Sequence, residues 1–341
     1  CSEQLGDMVR PYDVGMALTI YLKADVPQKV VAGFAETGQF DKILPYSAQT
    51  GYQPDYIQLL QHITRVNPEK GAEFASALAN SEQGPLVDFE RVCDIFQGQG
   101  LIQQATAFLL DALKENKPEH ARLQTRLLEM NLMHAPQVAE AILGNEMFTH
   151  FDKSRIAQLC EQANLPQKAL ELYEDPESIK RVIVNIPGSP NFNPEWLTTF
   201  FGKLSVEQSL DCLDAMMKSN IRQNLQSVVT IATKYSDLLG AVRLIDLFEK
   251  YKTAEGLFYY LGSVVNLSED PDVHFKYIEA ATKMGQFNEV ERLCRDSNVY
   301  NPEKVKNFLK EAKLPEQLPL IIVCDRFNFV HDLILYLYQN Q

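Results

Sequence analysis

The sequence predicts an all-α chain in which short helix hairpins stack in order into an α-solenoid. Three observations carry that prediction. A segment recurs as Ala24-Asp25-Val26-Pro27-Gln28-Lys29, as Ala163-Asn164-Leu165-Pro166-Gln167-Lys168 and as Ala312-Lys313-Leu314-Pro315-Glu316-Gln317, its prolines 139 and 149 residues apart. Helix breakers return about every 15 residues along the whole chain. Sustained alternation of apolar and polar residues, the mark of a half-buried strand, is absent. Self-similarity at a fixed period belongs to architectures in which one unit cannot bury its apolar face alone and stacks on its neighbours.

Each copy of the recurring segment reads as a helix end, a two-residue joint and a new helix with Pro first, where a missing N–H leaves no bond unmade. A second echo, Gly38-Gln39-Phe40-Asp41 and Gly285-Gln286-Phe287-Asn288, reads the same way. Between the breakers the apolar residues follow i, i+3, i+4, i+7 spacing. Phe89, Val92, Cys93 and Phe96 form one such stripe, Ile156, Leu159, Cys160 and Ala163 a second, and Val305, Phe308, Leu309 and Ala312 a third. Helix starts are written at Asn67-Pro68-Glu69, Asn193-Pro194-Glu195, Asp270-Pro271-Asp272 and Asn301-Pro302-Glu303. Each offers an Asx cap, Pro at the first position and an acid facing the positive end of the helix dipole. Arg181 to Asn185 and Leu320 to Cys324 are β-branched, but short and in helical surroundings. The irregular run Ile186 to Pro194 is either a hinge between sub-rods or an inter-helix loop, and the loop is favoured because helical patterning resumes with Trp196 and Leu197. The sum is about 20 to 22 helices of about 10 to 14 residues. Ten or eleven hairpins at ordinary interaxial spacing would make a rod on the order of 100 Å long.

Composition narrows the function. The 341 residues carry 45 acidic and 32 basic side chains, a formal net charge of −13. That argues against nucleic acid or an anionic bilayer as main partner, since both require clustered cations. The longest apolar run, Leu320 to Cys324, is too short to span a membrane. The chain opens with Cys1 and no signal pattern, the expectation being a piece of a longer cytosolic polypeptide. None of the six cysteines, Cys1, Cys93, Cys160, Cys212, Cys294 and Cys324, lies within four residues of another. They read as small core residues in a reducing compartment. The sequon Asn266-Leu267-Ser268 should then stay bare.

No catalytic constellation emerges. The six histidines form no HExxH and no second metal-ligand spacing; His134 reads as a helix-junction residue. Gly98-Gln99-Gly100 resembles the start of a dinucleotide fingerprint but follows a helix, so it reads as a turn. Asp211 and Asp214 read as a solvated helix face. The aromatic runs Leu257 to Leu261 and Leu333 to Tyr338 would be docking patches if exposed and inner faces of stacked helices if buried; burial is favoured, with some tyrosine edges left for contacts. Trp196 reads as a packing anchor. No catalytic, cofactor or metal residue is assigned, and no enzyme is expected.

Long strings then bear a resemblance. Leu127-Leu128-Glu129-Met130-Asn131-Leu132-Met133-His134-Ala135-Pro136 and Asp270-Pro271-Asp272-Val273-His274-Phe275, with Asn301 to Ala312 and Leu318 to Phe327, resemble the clathrin heavy-chain family, and the similarity runs from Cys1 to Gln341. The matching segment is the ankle and distal leg beyond the N-terminal propeller; the Pro187 to Phe192 loop is a few residues longer than that family's pattern. The resemblance implies a right-handed α-α superhelix of clathrin heavy-chain repeats. Residues 1–26 would end a linker zigzag, 27–165 and 166–314 would be two repeat units, and 315–341 the start of a third. It implies a structural coat component, on the cytosolic face of coated pits and vesicles in endocytosis and intracellular transport. Its legs would pack beside other heavy chains, with light-chain, adaptor-peptide and trimerisation sites outside this segment. It also implies a contact for the uncoating chaperone machinery near Val14, Leu18, Tyr21, Lys29 and Val30; the plainer reading makes Leu18, Tyr21 and Leu22 a helix core. The rival functions are an α-solenoid adaptor gripping a peptide or helix in a concave groove and, more remotely, an α-helical enzyme.

Overall fold

The computed structural model describes residues 2–82, 84–190 and 192–339. Cys1, Asn191 of the loop and the last two residues lie outside the described residues, as does Gln83. The elements are helices throughout, and substantial contacts run only between elements within three steps of each other in chain order. That pattern is the stacked-hairpin arrangement the period implied. Two units emerge from the contacts, residues 1–173 and 174–341.

The first unit holds α1 (Glu3–Val9), α2 (Val14–Ala24), α3 (Pro27–Glu36), α4 (Ile43–Thr50), α5 (Tyr56–Val66) and α6 (Pro68–Ala79). It continues with α7 (Phe89–Gly98), α8 (Ile102–Ala112), α9 (Ala121–His134), α10 (Pro136–Gly144), α11 (Lys153–Gln162) and α12 (Pro166–Leu172). The second unit holds α13 (Pro176–Ile183), α14 (Pro194–Phe201), α15 (Val206–Ser219), α16 (Ile221–Lys234), α17 (Ser236–Leu239) and α18 (Ala241–Lys250). It ends with α19 (Ala254–Val264), α20 (Pro271–Lys283), α21 (Phe287–Asp296), α22 (Pro302–Ala312), α23 (Leu318–Arg326) and α24 (Val330–Gln339). Helices are more numerous and shorter than the sequence suggested: α17 has 4 residues, and none among the described residues exceeds the 14 of α9, α15 and α16.

The predicted starts are present. Asn67, Asn193, Asp270 and Asn301 each accept backbone N–H bonds from the first turn of the helix they precede, and each has Pro inside that turn. The joints share one geometry. Gly38, Gly100 and Gly285 lie at φ 73°, 73° and 70°, and Asp25, Asn164, Lys252 and Asn328 occupy the same left-handed region. After each, an N–H returns to the carbonyl five residues back, as Gln39 to Phe34, Leu101 to Phe96, Leu165 to Cys160 and Phe329 to Cys324, all at 2.8 Å. This closure satisfies carbonyls that would otherwise be orphaned at the helix end. The echoes at Asp25, Asn164, Gly38 and Gly285 are copies of that joint.

The third proline copy departs from expectation. Lys313 keeps the left-handed joint at φ 46°, yet no helix starts at Pro315; α23 begins at Leu318. The cause is Pro319. A helix starting at Pro315 would place Pro319 in its interior, where the ring meets the carbonyl of Pro315 and supplies no donor. Starting at Leu318 puts Pro319 in the first turn instead. Apart from Asn191, the run Ile186 to Asn193 connects α13 to α14: Ile186–Gly188 makes a 3-10 turn with Ile186 fully buried, packed against α16.

Candidate functional site

Of the five residues expected at a partner contact, three are interior. Leu18, Tyr21 and Val30 are buried, while Val14 and Lys29 are half-buried. Tyr21 and Lys29 form a clasp that holds α1 on α2 and α3. The Tyr21 hydroxyl donates to Asp7 Oδ1 at 2.7 Å, and the Lys29 ammonium reaches Asp7 at 2.5 Å and Glu3 at 2.7 Å. Those bonds from Lys29 and Tyr21 hold the Asp7 carboxyl below its ordinary range. Gly6 lies so close to the Tyr21 ring that a Cβ there would overlap it. Leu22, expected in the same core, is 44% exposed. The buried side of α2 is the Ala17, Leu18, Tyr21 strip, and Leu22 lies one residue past it around the helix.

Groups that could do chemistry are committed elsewhere. The five described cysteines are buried, and desolvation pushes the thiols of Cys160, Cys212 and Cys294 up to about 12, so none is a nucleophile at neutral pH. His134 ends α9 and is exposed at the junction with α10. Gly98 ends α7, and Gly100 makes the turn into α8. Asp211 is the solvated residue expected, but Asp214 is not: it receives Lys250 Nζ at 2.5 Å and the Tyr251 hydroxyl at 3.1 Å, tying α15 to the end of α18. Trp196 is half-buried and stacks on Phe200, ring centres 5.3 Å apart. Among the described residues no three His, Cys, Asp or Glu side chains are grouped to hold a metal ion, and no helix is long and apolar enough to cross a membrane.

The polar network around His274 has no sequence signature. His274 Nε2 lies 2.8 Å from the Ser268 carbonyl, which can only accept, so the proton sits on Nε2 and Nδ1 accepts from the Ser297 hydroxyl at 3.0 Å. Arg326 of α23 donates to the Ser297 carbonyl at 2.9 Å and to Asn298 Oδ1 at 2.5 Å. Together they join α20, the loop after α21 and α23. The contacts across elements join residues 23 to 29 positions apart and leave no local pattern to read.

Surfaces remain as the functional material. In the run Leu257 to Leu261, Leu257, Tyr260 and Leu261 are buried as expected, whereas Tyr259 is 55% exposed. The run in α24 departs from expectation: Ile334 is 61% and Tyr338 79% exposed, and Leu335 and Leu337 are exposed too. Among the described residues α24 packs on α23 and is tied by Asp332 to Lys306 and Lys310 of α22. A groove of about 800 Å³ runs between α16 and α19, with Ile221, Leu225 and Val229 along one wall and Tyr259 on the other.

This stack of capped hairpins with its exposed faces is the setting in which family matches can be weighed. A family model described as a region in clathrin and VPS proteins matches residues 80–225 and 232–341, spanning α7 to α24. The chain belongs to the clathrin heavy-chain family. Its similarity to the clathrin heavy chain of Drosophila melanogaster is 62% identity over 340 residues, covering 100% of this chain and 20% of that protein. Clathrin heavy chain 2 of Homo sapiens is 59% identical and the probable clathrin heavy chain of Schizosaccharomyces pombe 60%, with the same coverage. The chain therefore spans 20% of the length of these clathrin relatives.

Proposed function

We propose that this chain is a structural leg segment of a clathrin coat, laid beside the legs of other heavy chains to build a polyhedral lattice on the cytosolic face of coated pits and vesicles. The observation that carries the reading is the combination of a chain-ordered helix stack with whole-chain identity of 59–62% to clathrin heavy chains. On this reading many weak lateral contacts act together, so avidity stabilises the lattice while each contact stays breakable. No reaction is assigned to the segment. The repeat frame set by Pro27, Pro166 and Pro315 is the proposed unit of stacking. A contact with the uncoating machinery at Val14 to Val30 would be made through the accessible edges of Val14 and Lys29, since Leu18, Tyr21 and Val30 face inward.

The test uses the labelled chain in cage assembly of full-length clathrin at mildly acidic pH. Incorporation into cages, or inhibition at excess, is the expected result. Assembly unchanged at high excess, with no label in the cages, would sink the coat reading in favour of a solenoid adaptor.

A further inference from the structure

We propose that the groove between α16 and α19 is a docking site for an acidic amphipathic helix. The argument starts from charge. In a chain of net charge −13, the 14 residues of α16 include no Asp or Glu, and Lys218 precedes them. The groove is lined by Arg222 and Lys252, against a single acid, Glu255. Neither cation is in an ion pair among the described residues, whereas Lys250 and Arg243 nearby in sequence are both paired. Arg222 also stands in the first turn of α16, where the helix dipole disfavours a positive charge. Folding gains nothing from a cation there; an incoming carboxylate would gain from Arg222 and the dipole together.

The walls supply the rest. Ile221, Leu225 and Val229 repeat at four-residue spacing and are half-buried, forming an apolar rail along α16. Tyr259 faces the groove from α19 with more than half its surface open, an amphipathic ring of the kind that anchors interfaces. A helix with leucines at three- and four-residue spacing would lay them between the rail and Tyr259. Glutamates on its flanks would meet Arg222 on one rim and Lys252 on the other. This site is independent of the coat reading and holds for any protein in which the chain resides.

The probe is a fluorescein-labelled amphipathic peptide with that leucine spacing and glutamate flanks, titrated into the 341-residue chain by fluorescence anisotropy. Binding should weaken as salt rises. The pair R222E/K252E should lose at least about tenfold in affinity and gain affinity for the same peptide carrying lysines instead. Tyr259→Ala, a surface change that leaves the fold intact, should also weaken binding. Circular dichroism confirms that both variants keep their helices. Absence of binding to the unaltered chain overturns the proposal. So does equal binding by the charge-reversed or the Tyr259→Ala chain, or equal binding of a scrambled peptide of the same composition.

Discussion

Gly71 shows how far a single residue in this fold departs from its intrinsic preference. Helix propensity alone says Gly71→Ala should stabilise α6 by about 1 kcal/mol. A Cβ at Gly71 would, however, lie 2.5 Å from Thr64 Oγ1 and 2.8 Å from the Thr64 Cα, and a backbone atom cannot swing aside. The substitution should therefore destabilise the α5–α6 pair by about 1–3 kcal/mol. Gly144→Ala in α10 meets nothing within 4 Å and should stabilise by about 0.5–1 kcal/mol. Urea melts of the two variants should move in opposite directions; movement in the same direction would mean that the close approach at Thr64 is not real. Lys313 is the complementary case. Its left-handed backbone disfavours a side chain, so Lys313→Gly should raise stability by about 0.5–1 kcal/mol in the same melts, and a loss of stability would refute it.

At the scale of an element, caps and clasps decide where a helix starts and what it holds. Asn301 accepts from the N–H groups of Glu303 and Lys304 at 3.1 and 3.0 Å, and Asn301→Ala should cost about 0.5–2 kcal/mol, read as lost protection of the first turn of α22 in hydrogen exchange. The attachment of α24 depends on charge. Hydrogen bonds from Lys310 and then Lys306 bring the Asp332 carboxyl down to about 2, against an ordinary 3.8. A carboxyl lowered in the folded chain stabilises above its unfolded value and fails as pH falls through its folded one. Protection of α24 amides should therefore hold above about pH 4 and fade between pH 4 and 2. Asp332→Asn should remove that pH step; a step that persists in the variant would place the titrating group elsewhere. Cap and joint positions were legible in the sequence because their partners are within five residues. Asp332 with Lys306 and Lys310 was not, because those partners are 22 to 26 residues away in sequence.

Across the whole molecule, contacts confined to near neighbours in chain order make damage local. Leu159→Ala should cost about 2–5 kcal/mol by opening a cavity in the stack of α9, α11 and α12. Hydrogen exchange should rise through those helices and stay unchanged in residues 174–339, since a nearest-neighbour stack transmits little further. Loss of all helix signal in one sharp thermal step would contradict that picture. The sequence by itself determined that the chain is helical, where several helices begin, a recurring two-residue joint and the family, because these are written in spacings shorter than one hairpin or in long matching strings. Only the tertiary structure decided that Pro319 displaces a helix start, that Leu22 and the α24 face stay open, that Asp214 is clasped and His274 wired to Ser297, and that an acid-free helix lines a groove. Each depends on which side of a helix its neighbours cover, a choice made between elements that a one-dimensional pattern does not record.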